Sequence, residues 1–208
     1  MPVTEISKDE ILEIALHEFL KNGIQAFTIK QLTELTGIST KTVYKLFADK
    51  TGLLRVCLNK HYQLLFDELL KISLNSKDAI ESFSKVMHRI VALEFDVNPK
   101  FYAELNKYYP KLQDEIFEAN DRMLSIFNDI LQRGIQNGLF RQEVDPNVSW
   151  ISFQRLYSGI TRENVYGHLA LSAPVLVKST VFVFLRGMCT PTGVQKLEQY
   201  EQSTFQFS

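Results

Sequence analysis

Apolar residues recur every three or four positions along most of the chain, the period of a helix buried on one side. Ile11, Leu12, Ala15, Leu16 and Phe19 follow it. Ser7 with Glu10 three residues later forms a capping box ahead of them, and Gly23 closes the segment. Thr28 and Gln31 repeat the start signal, Leu32 and Leu35 are expected to face inward, and Gly37 ends this second helix after about two turns. Ser39 caps a third over residues 40–47, and Asp49 caps a longer one running to about Lys71. Further helices are predicted over 76–95, from Asn98–Pro99 to just before Pro110, over 111–138, from Asp145–Pro146 to about Leu169, and from Ala173–Pro174 to about Met188. The run at 181–185 has the composition of a strand, but no partner strand is evident and a buried helix explains it better. The polar stretch 198–208 reads as a frayed tail. The predicted class is all-α.

The segment GISTKTVYKLFADK, residues 37–50, carries the chemistry. At about 100° per residue, Val43, Leu46 and Phe47 share one face of the third helix. Lys41 and Lys45 point nearly the opposite way, with Thr42 and Tyr44 on the flanks. Two short helices joined by a glycine-centred turn with an inward Ile38 describe a helix-turn-helix, whose second helix enters the major groove of DNA. Lys41 or Lys45 can donate to guanine O6 and N7, and Thr40 or Thr42 can bond a base edge or touch a thymine methyl. Tyr44 reaches a phosphate oxygen. Lys50 with the first amides of the fourth helix forms an anion site, and Thr28 with the first amides of the second forms another. Lys30 is an auxiliary contact. Charge placement agrees: residues 28–60 hold six bases and two acids, whereas 61–208 hold fifteen and seventeen. The expected organisation is a three-helix helix-turn-helix domain at 1–50, followed by a larger helical ligand-binding and dimerisation domain at 51–208.

Residues 11–54 closely resemble the N-terminal domain of the TetR family of bacterial transcriptional regulators. The matching marks are the apolar helix ending at Phe19 and Gly23, the capping Thr28, Leu32, the turn Gly37–Ile38–Ser39, then Thr42–Val43–Tyr44, Phe47, Asp49–Lys50 and Leu53–Leu54. The stretch 132–146 resembles the end of that family's long ligand-domain helix. The resemblance implies a dimeric DNA-binding protein, usually a repressor released by a small ligand, in which Tyr44 and Lys50 hold phosphates. Thr33 and Thr36 depart from the pattern, standing where small apolar residues are expected at the helix crossing, so slightly looser packing is expected there.

Composition narrows the remainder. Apolar residues make up 45% and charged residues 23%, with a net charge of −1, so an anionic partner must be met by a local patch. Cys57 and Cys189 are far apart, with no disulfide framework or zinc spacing, and are read as small buried residues in a reducing, cytoplasmic setting. His17, His61, His88 and His168 form no metal motif. No catalytic residue, metal or cofactor is implied, and no stretch is apolar enough for a membrane span. Met, aromatic and amide groups mark helix faces suited to an apolar or amphipathic ligand: Met87, His88, Tyr102, Phe117, Asn120, Met123, Phe127, Trp150, Phe153, Gln154 and Tyr157. Residues 175–188 are apolar around the whole axis, and Ser158 and Gly159 permit close approach, which points to a homodimer through a four-helix interface. The competing reading is a helical protein-interaction module with a degenerate helix-turn-helix.

Overall fold

A computed structural model describes residues 6–95, 97–118, 121–161, 163, 165–171 and 173–204. Its helices are α1 (Lys8–Asn22), α2 (Ile29–Thr36), α3 (Thr40–Phe47), α4 (Lys50–Leu74), α5 (Ala79–Phe95), α6 (Pro99–Tyr108), α7 (Pro110–Glu118), α8 (Asp121–Gln136), α9 (Pro146–Thr161), α10 (Ala173–Val177), α11 (Val183–Met188) and α12 (Pro191–Thr204). No strand occurs among the described residues, only an isolated bridge between Phe140 and Cys189. The chain forms two compact units: Met1–Phe66 with Phe95–Asn120, and Asp67–Glu94 with Asp121–Ser208.

The first unit is built from local start and stop signals around one core. Ser7 and Thr28 both close reciprocal capping boxes, with Glu10 and Gln31. Ser39 accepts the amide of Thr42, and Asp49 accepts that of Gly52 at 2.7 Å. Gly37 takes the left-handed conformation, φ 72°, that the turn between α2 and α3 requires. Ile11, Leu12, Ala15 and Phe19 of α1 pack with Leu32 of α2, Val43 and Phe47 of α3, and Leu53, Leu54, Cys57 and Leu58 of α4. Phe101, Tyr102 and Leu105 of α6 and Leu112 and Ile116 of α7 complete the same core. Each of the Leu, Ile, Val and Phe side chains contributes about 1.5–3 kcal/mol when fully buried.

The inward arc of α2 differs from the expected one. Leu35 is 56% exposed, and the half-buried inward place belongs to Thr36. Relative to Leu32, Thr36 lies about 40° round the helix toward Ile29, whereas Leu35 lies about 60° the other way. Leu46 is likewise 38% exposed, because Val43 and Phe47 alone fill the inward side of a two-turn helix. The threonines at the crossing satisfy themselves: Thr33 donates to the carbonyl of Lys30 at 2.7 Å, and Thr36 to that of Leu32 at 2.6 Å.

The junction from α3 to α4 is tight. Ala48 has φ 62° and ψ −54°, and Asp49 donates its amide to the Phe47 carbonyl at 2.7 Å, a γ-turn of the rare positive-φ kind. Gly52 sits against that carbonyl; a Cβ there would lie 2.0 Å from the oxygen.

In the second unit, Phe83 of α5, Phe127 of α8 and Phe153 of α9 meet with ring centroids 5.5–6.0 Å apart. Trp150 and Tyr157 extend this group along α9. Gly138 closes α8, and Phe140 folds back so that its ring occupies the space a side chain at Gly134 would need. A small polar network lies alongside: Arg133 donates to Asp129 and to Ser73, and Ser82 donates to Ser73. The segment expected as one helix over 173–188 contains a π-helical turn at Lys178–Phe182, which buries the adjacent Val181 and Phe182 together. The segment expected to stay helical to Leu169 leaves the α-helix after Thr161 and ends in a short 3₁₀ turn at Gly167–Leu169. Part of the expected frayed tail is instead the end of α12, anchored by the buried Leu197.

Candidate nucleic-acid interface

The interface is built on α3. Its buried anchors, Val43 and Phe47, fix the helix to α1 and α2, and so fix which side remains open. Lys41, Thr42, Tyr44 and Lys45 are all exposed, as is Thr40 at the first position. Among the described residues, no carboxylate lies within ion-pair distance of Lys41 or Lys45. Tyr44 is 50% exposed. Two cations, a phenol and hydroxyls thus share one accessible face, the donor-rich arrangement that base edges and phosphates accept.

The hydroxyls are less free than their positions suggest. Thr42 shares a 2.8 Å hydrogen bond with Ser39. Thr28 donates its hydroxyl to Gln31 at 2.9 Å and accepts the Gln31 amide at 3.2 Å. Its proton is therefore committed, and the donors available to an anion at the start of α2 are the first backbone amides. Lys30 lies 3.8 Å from Glu34, both side chains well exposed, an ion pair weak enough to exchange for a phosphate. Lys50 is half-buried beside the α4 start. Partial burial lowers its pKa from the ordinary lysine value, and the Glu104 carboxylate opposes that shift. One cation was not legible from spacing: Lys8 of α1 stands 5.7 Å from the centroid of the Phe47 ring.

A sequence model of bacterial regulatory proteins of the TetR family matches residues 11–57, a span that contains α2, the turn and α3. This N-terminal stretch is thus similar to the TetR family of bacterial regulatory proteins. The transcriptional repressor KstR2 of Mycobacterium tuberculosis is 24% identical over 152 residues, covering 68% of this chain and 72% of the relative. Among solved structures, the fatty acid degradation regulator FadR of Bacillus halodurans superposes with a TM-score of 0.68 at 19% identity, covering 88% of this chain and all of the other. FadR of Bacillus subtilis, solved in complex with stearoyl-CoA, gives 0.69 at 17% identity with the same coverage. These structures share the fold.

A second candidate site lies within the second unit. A cavity of about 20 Å³ is lined by Phe83, Val86, Met87 and Ile90 of α5, Met123, Ile126, Phe127 and Ile130 of α8, and Trp150 and Phe153 of α9. Met87, Met123, Phe127, Trp150 and Phe153 were expected at a ligand site. Phe83, Val86, Ile90, Ile126 and Ile130 were not, although the same helical period places them on those faces.

Several expected ligand contacts lie elsewhere. His88 is exposed, turned about 100° from Met87. Gln154 is exposed, and Tyr157 is buried against Phe153 beyond the cavity. Tyr102 belongs to the core of the first unit, against Phe101. The side chain of Phe117, and Asn120 as a whole, lie outside the described residues. Burial pushes the Cys57 thiol up to about 12 and the Cys189 thiol to about 11, so neither is a ready thiolate. Among the described residues, no helix is long and apolar enough to cross a membrane.

Proposed function

We propose that this chain is a TetR-family repressor that binds a near-palindromic operator as a homodimer and is released by an apolar or amphipathic ligand. The carrying observation is the division of α3 into a buried apolar edge and an accessible edge bearing Lys41 and Lys45 without carboxylate partners among the described residues. In this reading Lys41, Lys45 and Thr40 face base edges. Tyr44, Lys50, Lys30 and the first amides after Thr28 hold phosphates. Two such helices about 34 Å apart would meet successive major grooves on one side of the duplex.

The second subunit is supported by apolar surface without cover in one chain. Val148 and Ile151 of α9 are exposed at helical spacing, and Val175, Ser179, Val183 and Gly187 form an exposed stripe of small residues across α10 and α11. Gly159 does not serve as the point of close approach. Val165 and Tyr166 of the same chain cover it, and Val165 donates to its carbonyl. Gly187, with open space around it, takes that role.

The ligand reading rests on the all-apolar lining of the cavity between α5, α8 and α9. Its present size admits no organic molecule, so binding requires the flexible Met87 and Met123 to move aside. A ligand that fits only the form with mis-spaced heads lowers DNA affinity by its differential binding to the two forms. Selection of duplexes from a random pool, followed by titration at several salt concentrations, tests the central reading. Enrichment of a two-fold site with affinity falling steeply with salt is the expected result. Recovery of no sequence, with no retention on duplex DNA at low salt, would refute it.

A further inference from the structure

Helix α6 is fastened to the end of α1 and to the turn between α1 and α2 through polar contacts that use their backbone. At its start, Asn98 donates its amide to the Leu20 carbonyl at 2.8 Å and its side-chain nitrogen to the Lys21 carbonyl at 3.0 Å. Its Oδ1 meanwhile caps α6 by accepting the Lys100 amide at 2.9 Å. Further along α6, Glu104 Oε2 accepts the backbone amide of Gln25 at 2.8 Å. The Gln25 side chain then donates to the Tyr109 hydroxyl at 3.2 Å. Gln25 stands three residues before Thr28, the cap of α2.

The seating is close. Gly23 has φ 89°, and a Cβ there would lie 3.0 Å from Glu104 Oε2 and 3.4 Å from Lys100 Cβ. The Glu104 charge is also felt at Lys50, on the start of α4. The carboxylate that holds the turn leading into α2 thus also acts, through its charge alone, on the first residue of α4. A negative charge in that place repels phosphate, so its presence needs a reason. The contact with Gln25 supplies one: an acceptor on a rigid helix fixes a turn whose amide would otherwise be satisfied only by water.

We propose that Glu104 is a positioning residue for DNA binding, holding the turn at Gln25 and so setting where the start of α2 meets the phosphate backbone. This rests on the DNA-binding reading above. The acceptor, not the charge, carries the role, which separates two substitutions. Glu104→Gln keeps a carbonyl for Gln25 and removes the repulsion. Glu104→Met keeps the length and cannot accept.

The test uses the full chain and a duplex selected by the wild-type protein, with affinity measured across a salt series. The wild type and Glu104→Gln should show the same salt slope, with Glu104→Gln binding equally well or a few-fold tighter. Glu104→Met should bind about tenfold or more weakly, and its slope should flatten by roughly one for each phosphate it no longer neutralises. A merely structural defect would lower the active fraction or the melting temperature without changing the slope. Adding Thr28→Ala to Glu104→Met should flatten it no further. Equal slopes and affinities for Glu104→Met and wild type would overturn the proposal, as would equal weakening in Glu104→Gln and Glu104→Met. Amide exchange on the unmodified protein gives a check that needs no variant: the Gln25 amide should be protected, and exchange at the rate of an open loop would overturn the proposal. If the wild type itself shows no salt-dependent binding, the DNA-binding reading fails instead.

Discussion

Gly52 offers a test in which two physical effects predict opposite signs. It lies in the first turn of α4, and an alanine in a helix is ordinarily worth about 1 kcal/mol more than a glycine. Propensity alone therefore expects Gly52→Ala to stabilise. The structure expects the reverse. The added Cβ would fall 2.0 Å from the Phe47 carbonyl oxygen, with the Phe47 carbonyl carbon at 3.1 Å. Both are backbone atoms, so no side chain can swing away, and α4 must retreat from α3 by well over 1 Å to reach normal contact. That movement pulls the Gly52 amide off Asp49 and loosens the turn in which Asp49 donates to the same carbonyl. Loss of the cap costs about 0.5–2 kcal/mol, and overpacking about 1–3 kcal/mol. Set against the propensity gain of about 1 kcal/mol, the net loss is about 0.5–4 kcal/mol. For a chain of this size that is a fall of roughly 1–16 °C in melting temperature. Because Lys50 and the open face of α3 stand on either side of this junction, DNA affinity should fall as well. Thermal unfolding by circular dichroism and anisotropy titration of a selected duplex measure the two effects. A variant that melts higher than wild type and binds DNA equally well would show that the junction is not close-packed and that the reasoning is wrong.

Lys45→Ala should weaken specific binding by about 1–3 kcal/mol and relax base preference, whereas Tyr44→Phe should weaken all duplexes alike; parallel titrations of matched and mismatched sites separate them. Ile151→Glu together with Val183→Asp should yield a folded monomer by light scattering and analytical centrifugation, because both side chains are exposed in a single chain; an unchanged dimer would place the interface elsewhere. The Glu68 carboxylate is held below its ordinary value chiefly by the hydrogen bond from Arg89, with burial opposing and the guanidinium charge assisting. A depressed folded value means stabilisation that is full above the unfolded value near 4.5 and fades as pH falls through the folded one. The melting difference between wild type and Arg89→Met should therefore be largest near pH 7 and shrink below about pH 4, and a pH-independent difference would remove the pair from the account.

The elements of the helix-turn-helix were legible because their signals are local. A cap acts on an amide three residues away, a glycine turn on its own φ, and an apolar period on residues within one or two turns. Ser7, Thr28, Ser39, Gly37 and the inward Val43 and Phe47 all belong to this kind. Helix α12 escaped because only Gly193 and Leu197 are fully buried along its described part, too few anchors for a visible period. Leu35 and Leu46 misled because a wheel gives an arc but not its centre. The neighbouring helices choose the centre, and they chose Thr36 over Leu35.

By itself, then, the sequence determined where helices begin and end in the head, which edge of α3 could be buried, and the family that the head resembles. Only the tertiary structure decided that α6 and α7 return to the core of α1–α4, that the Glu104 carboxylate reaches Gln25, and that Tyr102 is a core residue while Phe83 lines a cavity. The reason is range. Bonds between residues 79 positions apart depend on how the whole chain packs, and no pattern within a few turns of helix encodes that distance.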